Sequence, residues 1–246
     1  MGSIQQTAAP FNLTEVDRLV LAQTDEEFVH HDWEDLKAII ARNDLGALRR
    51  TPSDLKRYIV WTNDTKATYG SITNYICQKR LKWSSPDPSS SSSSSPSATS
   101  LSLSGSNSPA APQLPEIPYR NATPFADPSD YRVLRNDWPY GLTPDITHVV
   151  VWSKTPIATK PENGDVTDES RAFIEGFVDR TFVQRLQKEP GFEQMNKDAI
   201  RREHVLWFKN WTALQSVRSL EHFHILLRGV PSAIITEWTH ESDVVR

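Results

Sequence analysis

The chain has 246 residues, 37% of them hydrophobic, with a formal net charge of −4 and a pI near 6.0. That length can bury a real core in one domain or two small ones, and the lack of a basic surplus excludes a general nucleic-acid or anionic-membrane binder. One cysteine, Cys77, excludes an internal disulfide and a cysteine-based zinc site and points to a reducing compartment, the cytoplasm with the nucleus as a second setting.

Residues 1–29 begin MGSIQQTAAPF, with neither the basic nor the apolar segment of a targeting peptide, and read as a flexible terminus. No apolar run reaches membrane-spanning length. Residues 30–83 read as a helical N-terminal part in three segments. In Asp32-WEDLKAIIARN, Trp33, Leu36, Ile39 and Ile40 share a face behind an Asp cap. In Thr51-PSDLKRYIVW, Thr51 caps, Pro52 suits the first helical position, and Leu55, Tyr58 and Ile59 point inward. Around Tyr69-GSITNYICQKRL, Tyr69, Ile72 and Ile76 recur at helical spacing. His30 and His31, in a polar break, read as surface residues.

Residues 84–115 are a Ser/Pro-rich insertion with too little apolar area to repay its ordering entropy, so disorder is expected there. It is also where a protein partner is expected to attach. Residues 116–240 read as an α+β domain that forms one folded unit with 30–83. Its first part is irregular and aromatic, with a short strand at Tyr131 to Leu134. Ile146-THVVVWSK has β-branched residues on both faces, as a central strand does. Thr167-DESRAFIEGFVDRTFVQRL is the clearest helix, with Phe173, Ile174, Phe177, Val178, Phe182 and Leu186 in one stripe. His204-VLWFKNW suits either a strand or the end of a helix begun at Asn196, and a strand is favoured. Thr212-ALQSVRSLE suggests a short helix and His222-FHILLRGV a final strand. The expected fold is thus α+β, an N-terminal helical subdomain packed on a mainly antiparallel sheet with covering helices.

Alternation along the last strand puts His222, His224, Leu226 and Arg228 on one face and Phe223, Ile225 and Leu227 on the other. Two imidazoles and a guanidinium in a row suit an anionic small molecule. The plainer reading is a half-exposed strand with polar residues outside. A catalytic zinc needs a third protein ligand that this strand does not supply, so no metal is expected, and no cofactor. Trp138, Trp152, Trp207 and Trp211 read as core or loop-locking rings.

The blocks DYRVLRNDWPYGLTPDITHVVVWSK, FVDRTF and VLWFKNWTALQSVRSLEHFHILLRGVP, with YIVW and RLKW upstream, resemble the fungal N-acetylglucosamine-induced protein family, whose domain is of unknown function. The likeness covers nearly all the foldable chain and leaves the insertion outside. It implies a fungal intracellular protein with a link to the amino-sugar response, and it brings no established reaction. A second likeness is to histidine-triad proteins. Pro139, His148 with the strand to Lys154, the helix from Thr167, Asn210, Gln215-Ser216-Val217 and His222-Phe223-His224 occur in that family's order. Here Arg218 to Glu221 intervene before the histidines, and only two of three histidines are present. The likeness implies a fold of that type and a histidine that attacks the α-phosphorus of a nucleotide. The nucleophile is His224 if Leu226 stands for the third histidine, and His222 if Leu220 stands for the first. Asn210, Gln215 and Ser216 would then be donors to the transferring oxygens, with His148 and Arg228 as further ligand-binding residues. Two functions follow as expectations. One is a His/Arg pocket for a phosphate- or nucleotide-bearing ligand, of nucleotidyl hydrolase or transferase type; the other is a non-catalytic regulatory or interaction protein with structural histidines.

Overall fold

The computed structural model describes residues 13–83 and 117–242, so the expected disordered insertion lies outside the described residues. Among the described residues four α-helices precede it: α1 (Glu15–Leu21), α2 (Trp33–Ala41), α3 (Pro52–Tyr69) and α4 (Ile72–Tyr75), the last running into a wide π turn, Ile76–Leu81. Each starts where its sequence satisfies the free N–H groups of a first turn. Asp32, Thr51 and Ser71 accept from the backbone N–H three residues on, and Thr14 and Asp17 form a reciprocal capping box. Pro52 occupies the first position of α3, where its missing N–H costs nothing. Helix α1 falls within the segment expected to be a flexible terminus; Val20 is its buried anchor, packed with Leu55 and Tyr58 of α3.

After the insertion come β1 (Tyr131–Arg135), β2 (Ile146–Ser153), α5 (Asp168–Val178), which passes through a π turn at Asp179–Val183 into α6 (Gln184–Leu186), then α7 (Lys197–His204), β3 (Val205–Phe208), β4 (Glu221–Arg228) and α8 (Ser232–Thr239). The strands form one antiparallel sheet in the order β1-β2-β4-β3. His204-VLWFKNW therefore holds both expected forms, a helix end followed by a strand. Thr212-ALQSVRSLE does not form the expected helix: one tight turn, Thr212–Leu214, gives way to extended backbone. Val217 and Leu220 both insert into the core while the chain crosses from β3 to β4, on either side of a turn at Arg218 and Ser219. Helix α8, which no capping side chain announces, is held by buried Ile234 and Ile235 and by the Trp238 indole donating to the Thr181 carbonyl at 3.1 Å.

Alternation sorts the sheet into two faces, and both are covered. On one, Val133, Val149, Val151, Phe223, Ile225 and Leu227 pack against the helices that follow the insertion, centred on Ile174, Phe177 and Phe182. Each such side chain stabilises the fold by about 1.5–3 kcal/mol through burial. On the other, Leu134, Val150 and Trp152 meet Ile72, Ile76 and Leu81, while Ile146, Leu226 and Phe208 meet Trp33, Leu36 and Ile39 of α2. The sheet is a middle layer between the helices before the insertion and those after it, an α+β architecture with the N-terminal helices packed on an antiparallel sheet. The Trp33 indole donates to the Arg202 carbonyl at 2.8 Å, tying α2 to α7. Among the described residues, no helix is long and apolar enough to cross a membrane.

Candidate functional site

Register places the histidines. Pairing of β2 with β4 sets Val150 opposite His224, Trp152 opposite His222 and His148 opposite Leu226, so all three imidazoles emerge on the sheet face that the N-terminal helices cover. They are buried, at 4% exposure for His148, 6% for His222 and 7% for His224. This overturns the expectation of a half-exposed strand, because the alternation of β4 separates two covered faces, not a core face from a wet one. Burial penalises the imidazolium. It pushes His222 down to about 4, with the Lys209 charge adding to the effect against the opposing Leu220 hydrogen bond. Burial and the Arg50 charge push His148 down to about 3. His224 lies well below its ordinary value for the same first reason, with His148, His222 and Arg50 adding to it. All three rings are neutral at physiological pH. His31 is buried too, its pKa lowered by burial and by Arg49, in place of the expected surface position.

A hydrogen bond then fixes which nitrogen of His222 holds its proton. The Nδ1 of His222 lies 2.8 Å from the Leu220 carbonyl, which can only accept, so Nδ1 carries the hydrogen and Nε2 keeps its lone pair. That Nε2 makes no hydrogen bond among the described residues. The ring stacks on Trp152 at 4.7 Å between centroids. His224 is engaged at both nitrogens. The Asn210 side-chain amide lies 3.3 Å from Nε2 and His148 Nε2 lies 3.0 Å from Nδ1, while the Asn136 amide approaches both nitrogens of His148 at 3.2 and 3.3 Å. Phe208 stacks on its ring at 4.9 Å, and Tyr140 on that of His148 at 5.3 Å.

In front of His222 and His224 is a cleft of about 810 Å³, counting the solvent at its mouth. Its walls come from both halves of the chain: Arg50, Tyr58 and Trp61 from before the insertion, Trp138, Trp152 and Asn210 from after it. Arg50 lies over the Tyr58 ring at 4.2 Å and within 5.6 Å of the Tyr140 ring. Its Nε donates to the Trp138 carbonyl at 3.3 Å, and no carboxylate pairs with it among the described residues. Arg80, also in the wall, is engaged by Asp137 at 2.8 Å and Glu241 at 2.5 Å. Among the described residues, no group of three His, Cys, Asp or Glu is placed to hold a metal.

The residues singled out in the sequence divide accordingly. His222, His224, Asn210 and Ser216 meet at the cleft, and His148 supports His224 from behind. Gln215 turns away from the cleft and donates to the Asn210 carbonyl at 2.6 Å, a bond that shapes the loop. Arg228 does not join the histidines. Two residues beyond Leu226 along an extended strand, its guanidinium pairs with Glu203 at 2.7 Å and lies over Trp33 at 5.0 Å. Sequence reasoning missed Arg50 altogether. The only local signal is an Arg49-Arg50 pair just before the Thr51-Pro52 helix start, which puts Arg50 in the loop leading into α3.

Comparison with known proteins places this architecture. A family described as protein of unknown function (DUF3605) matches residues 32–228. The N-acetylglucosamine-induced protein 1 of Candida albicans is 27% identical over 210 residues, covering 83% of this chain and 71% of the relative. The uncharacterized protein YPL067C of Saccharomyces cerevisiae is 26% identical over 202 residues, covering 82% of this chain and 81% of the relative. The crystal structure of HTC1 superposes with a TM-score of 0.50 at 22% identity, covering 82% of this chain and 86% of that one, a likeness of fold. The likeness to histidine-triad proteins gains no support from these matches.

Proposed function

The chain belongs to the DUF3605 family of proteins of unknown function, and we propose that it binds a small, phosphate-bearing anion in the cleft in front of His222 and His224. One observation carries this reading: Arg50 holds a guanidinium at the cleft wall with its face against Tyr58 and no carboxylate to neutralise it. A cation in such a position, partly shielded from water and backed by neutral imidazoles, attracts an anion far more strongly than an exposed surface arginine does. The aromatic walls offer apolar area to the remainder of the ligand. A relative bears the name N-acetylglucosamine-induced, which makes amino-sugar phosphates the first compounds to try.

If phosphoryl or nucleotidyl transfer through a histidine takes place here, it runs through His222. Only His222 has an unshared lone pair, since both nitrogens of His224 are committed to Asn210 and His148. Asn210 and His148 are then positioning residues. The test is a calorimetric and thermal-shift screen of inorganic phosphate, sugar phosphates and nucleotides on the wild type and on Arg50→Met. A bound compound should lose about 10- to 100-fold in affinity in the variant, as expected when a charge-assisted hydrogen bond is removed. Absence of binding by every anion in the wild type would leave the regulatory or interaction reading in its place.

A further inference from the structure

We infer that the ligand is a sugar phosphate, with its phosphate at Arg50 and a ring hydroxyl donating to Nε2 of His222. This rests on the phosphate-binding reading above and adds the class of the remaining group. The inference comes from what His222 can and cannot do. Its Nδ1–H is spent on the Leu220 carbonyl at 2.8 Å, so Nε2 is a pure acceptor facing a polar ligand. A phosphate dianion offers acceptors only, and its oxygens would meet the Nε2 lone pair with repulsion. A ligand satisfies both Arg50 and His222 only if it carries an anion and, beside it, an O–H or N–H donor. Leaving either cleft group unmatched costs binding free energy.

The walls favour a sugar over a nucleobase. A base sandwiched between two rings needs them parallel with an open slot, and the aromatic side chains here are packed on one another instead. Tyr58 and Trp61 are nearly parallel at 5.9 Å, Trp61 and Trp138 are tilted by 48° at 5.4 Å, and Trp152 is stacked against His222 itself. What they leave to the ligand is ring edges and single faces, which suit the C–H face of a pyranose beside its hydroxyls. Ser216, exposed at the mouth, adds a hydroxyl that can donate or accept.

The test uses the full chain with glucose 6-phosphate, inorganic phosphate and AMP as probes. In the wild type, glucose 6-phosphate should bind about tenfold or more tighter than inorganic phosphate, the equivalent of one net hydrogen bond. In His222→Phe, which keeps a flat ring over Trp152, the two affinities should fall within about twofold of each other. Because that variant also loses the bond to Leu220, a second measurement leaves the chain unaltered: the ¹⁵N resonance of His222 Nε2 should move on adding glucose 6-phosphate and stay put with inorganic phosphate. Equal affinities in the wild type, an Nε2 signal that glucose 6-phosphate does not move, or tightest binding by AMP would overturn the sugar assignment while leaving phosphate binding intact. If none of the three probes binds, the phosphate reading fails and takes this one with it.

Discussion

His224 Nδ1 and His148 Nε2 are hydrogen-bonded across the seam between β2 and β4, at 3.0 Å, with both rings nearly sealed from solvent. A pair of this kind tolerates no proton beyond the one it shares. Replacing His148 with Phe keeps a ring of similar size against Tyr140 but leaves His224 Nδ1 without its hydrogen-bond partner. The expected loss is about 1–3 kcal/mol in urea denaturation, the cost of an unpaired buried polar group. A loss under about 0.5 kcal/mol would mean that the pair is not formed in solution.

The same burial gives the fold a pH signature. The folded-state values of His148, His222 and His224 lie below the unfolded one, so the unfolded chain binds more protons as pH falls through 6.5. Stability should be at its full value above that pH and decline between about 6.5 and 3, by up to about 1.4 kcal/mol per pH unit for each histidine. Denaturant titrations at pH 7.5, 6.0 and 5.0 measure the slope. Flat stability across that range would contradict neutral, buried rings.

Arg228→Met separates structure from site. The Glu203 pair is partly exposed and worth at most about 1 kcal/mol, and the methionine retains some packing on Trp33. Ligand affinity should stay within about twofold of wild type, whereas Arg50→Met should abolish most of it. Equal effects from the two variants would show that the anion sits elsewhere.

Asp130 tests the loop after the insertion. At 1% exposure, its carboxylate accepts from the backbone N–H groups of Arg120 and Asn121 at 2.8–3.0 Å, and its carbonyl takes the Lys154 N–H. Asp130→Ala should cost about 2–3 kcal/mol and raise amide exchange at Arg120 and Asn121. Unchanged exchange at those two amides would count against the bond pattern.

Much of the fold was legible because its signals are local. Asp32, Thr51 and Thr167 announce helix starts through their own side chains, and the β-branched run of β2 announces a strand covered on both faces. The candidate site was only half legible. Alternation correctly grouped His222 with His224, but it could not tell which layer would settle on that face, and so suggested solvent where Ile72, Ile76 and Trp33 pack. Arg50 carries no periodic or motif signal; it matters only because the loop leading into α3 sets it beside residues more than 150 positions later in the chain. Gln215 and Ser216 looked equivalent in sequence, yet the extended turn after Leu214 sends one to the Asn210 backbone and the other to the cleft mouth.

The bond from the Trp33 indole to the Arg202 carbonyl spans 169 positions of sequence. During synthesis, α2 and α4 leave the ribosome long before the sheet that covers their apolar faces is complete. At about 5–20 residues per second, the wait for Arg202 lasts on the order of ten seconds or more. For that interval Trp33 and Leu36 lack Phe208 and Leu226, the strand residues they are buried against in the finished fold.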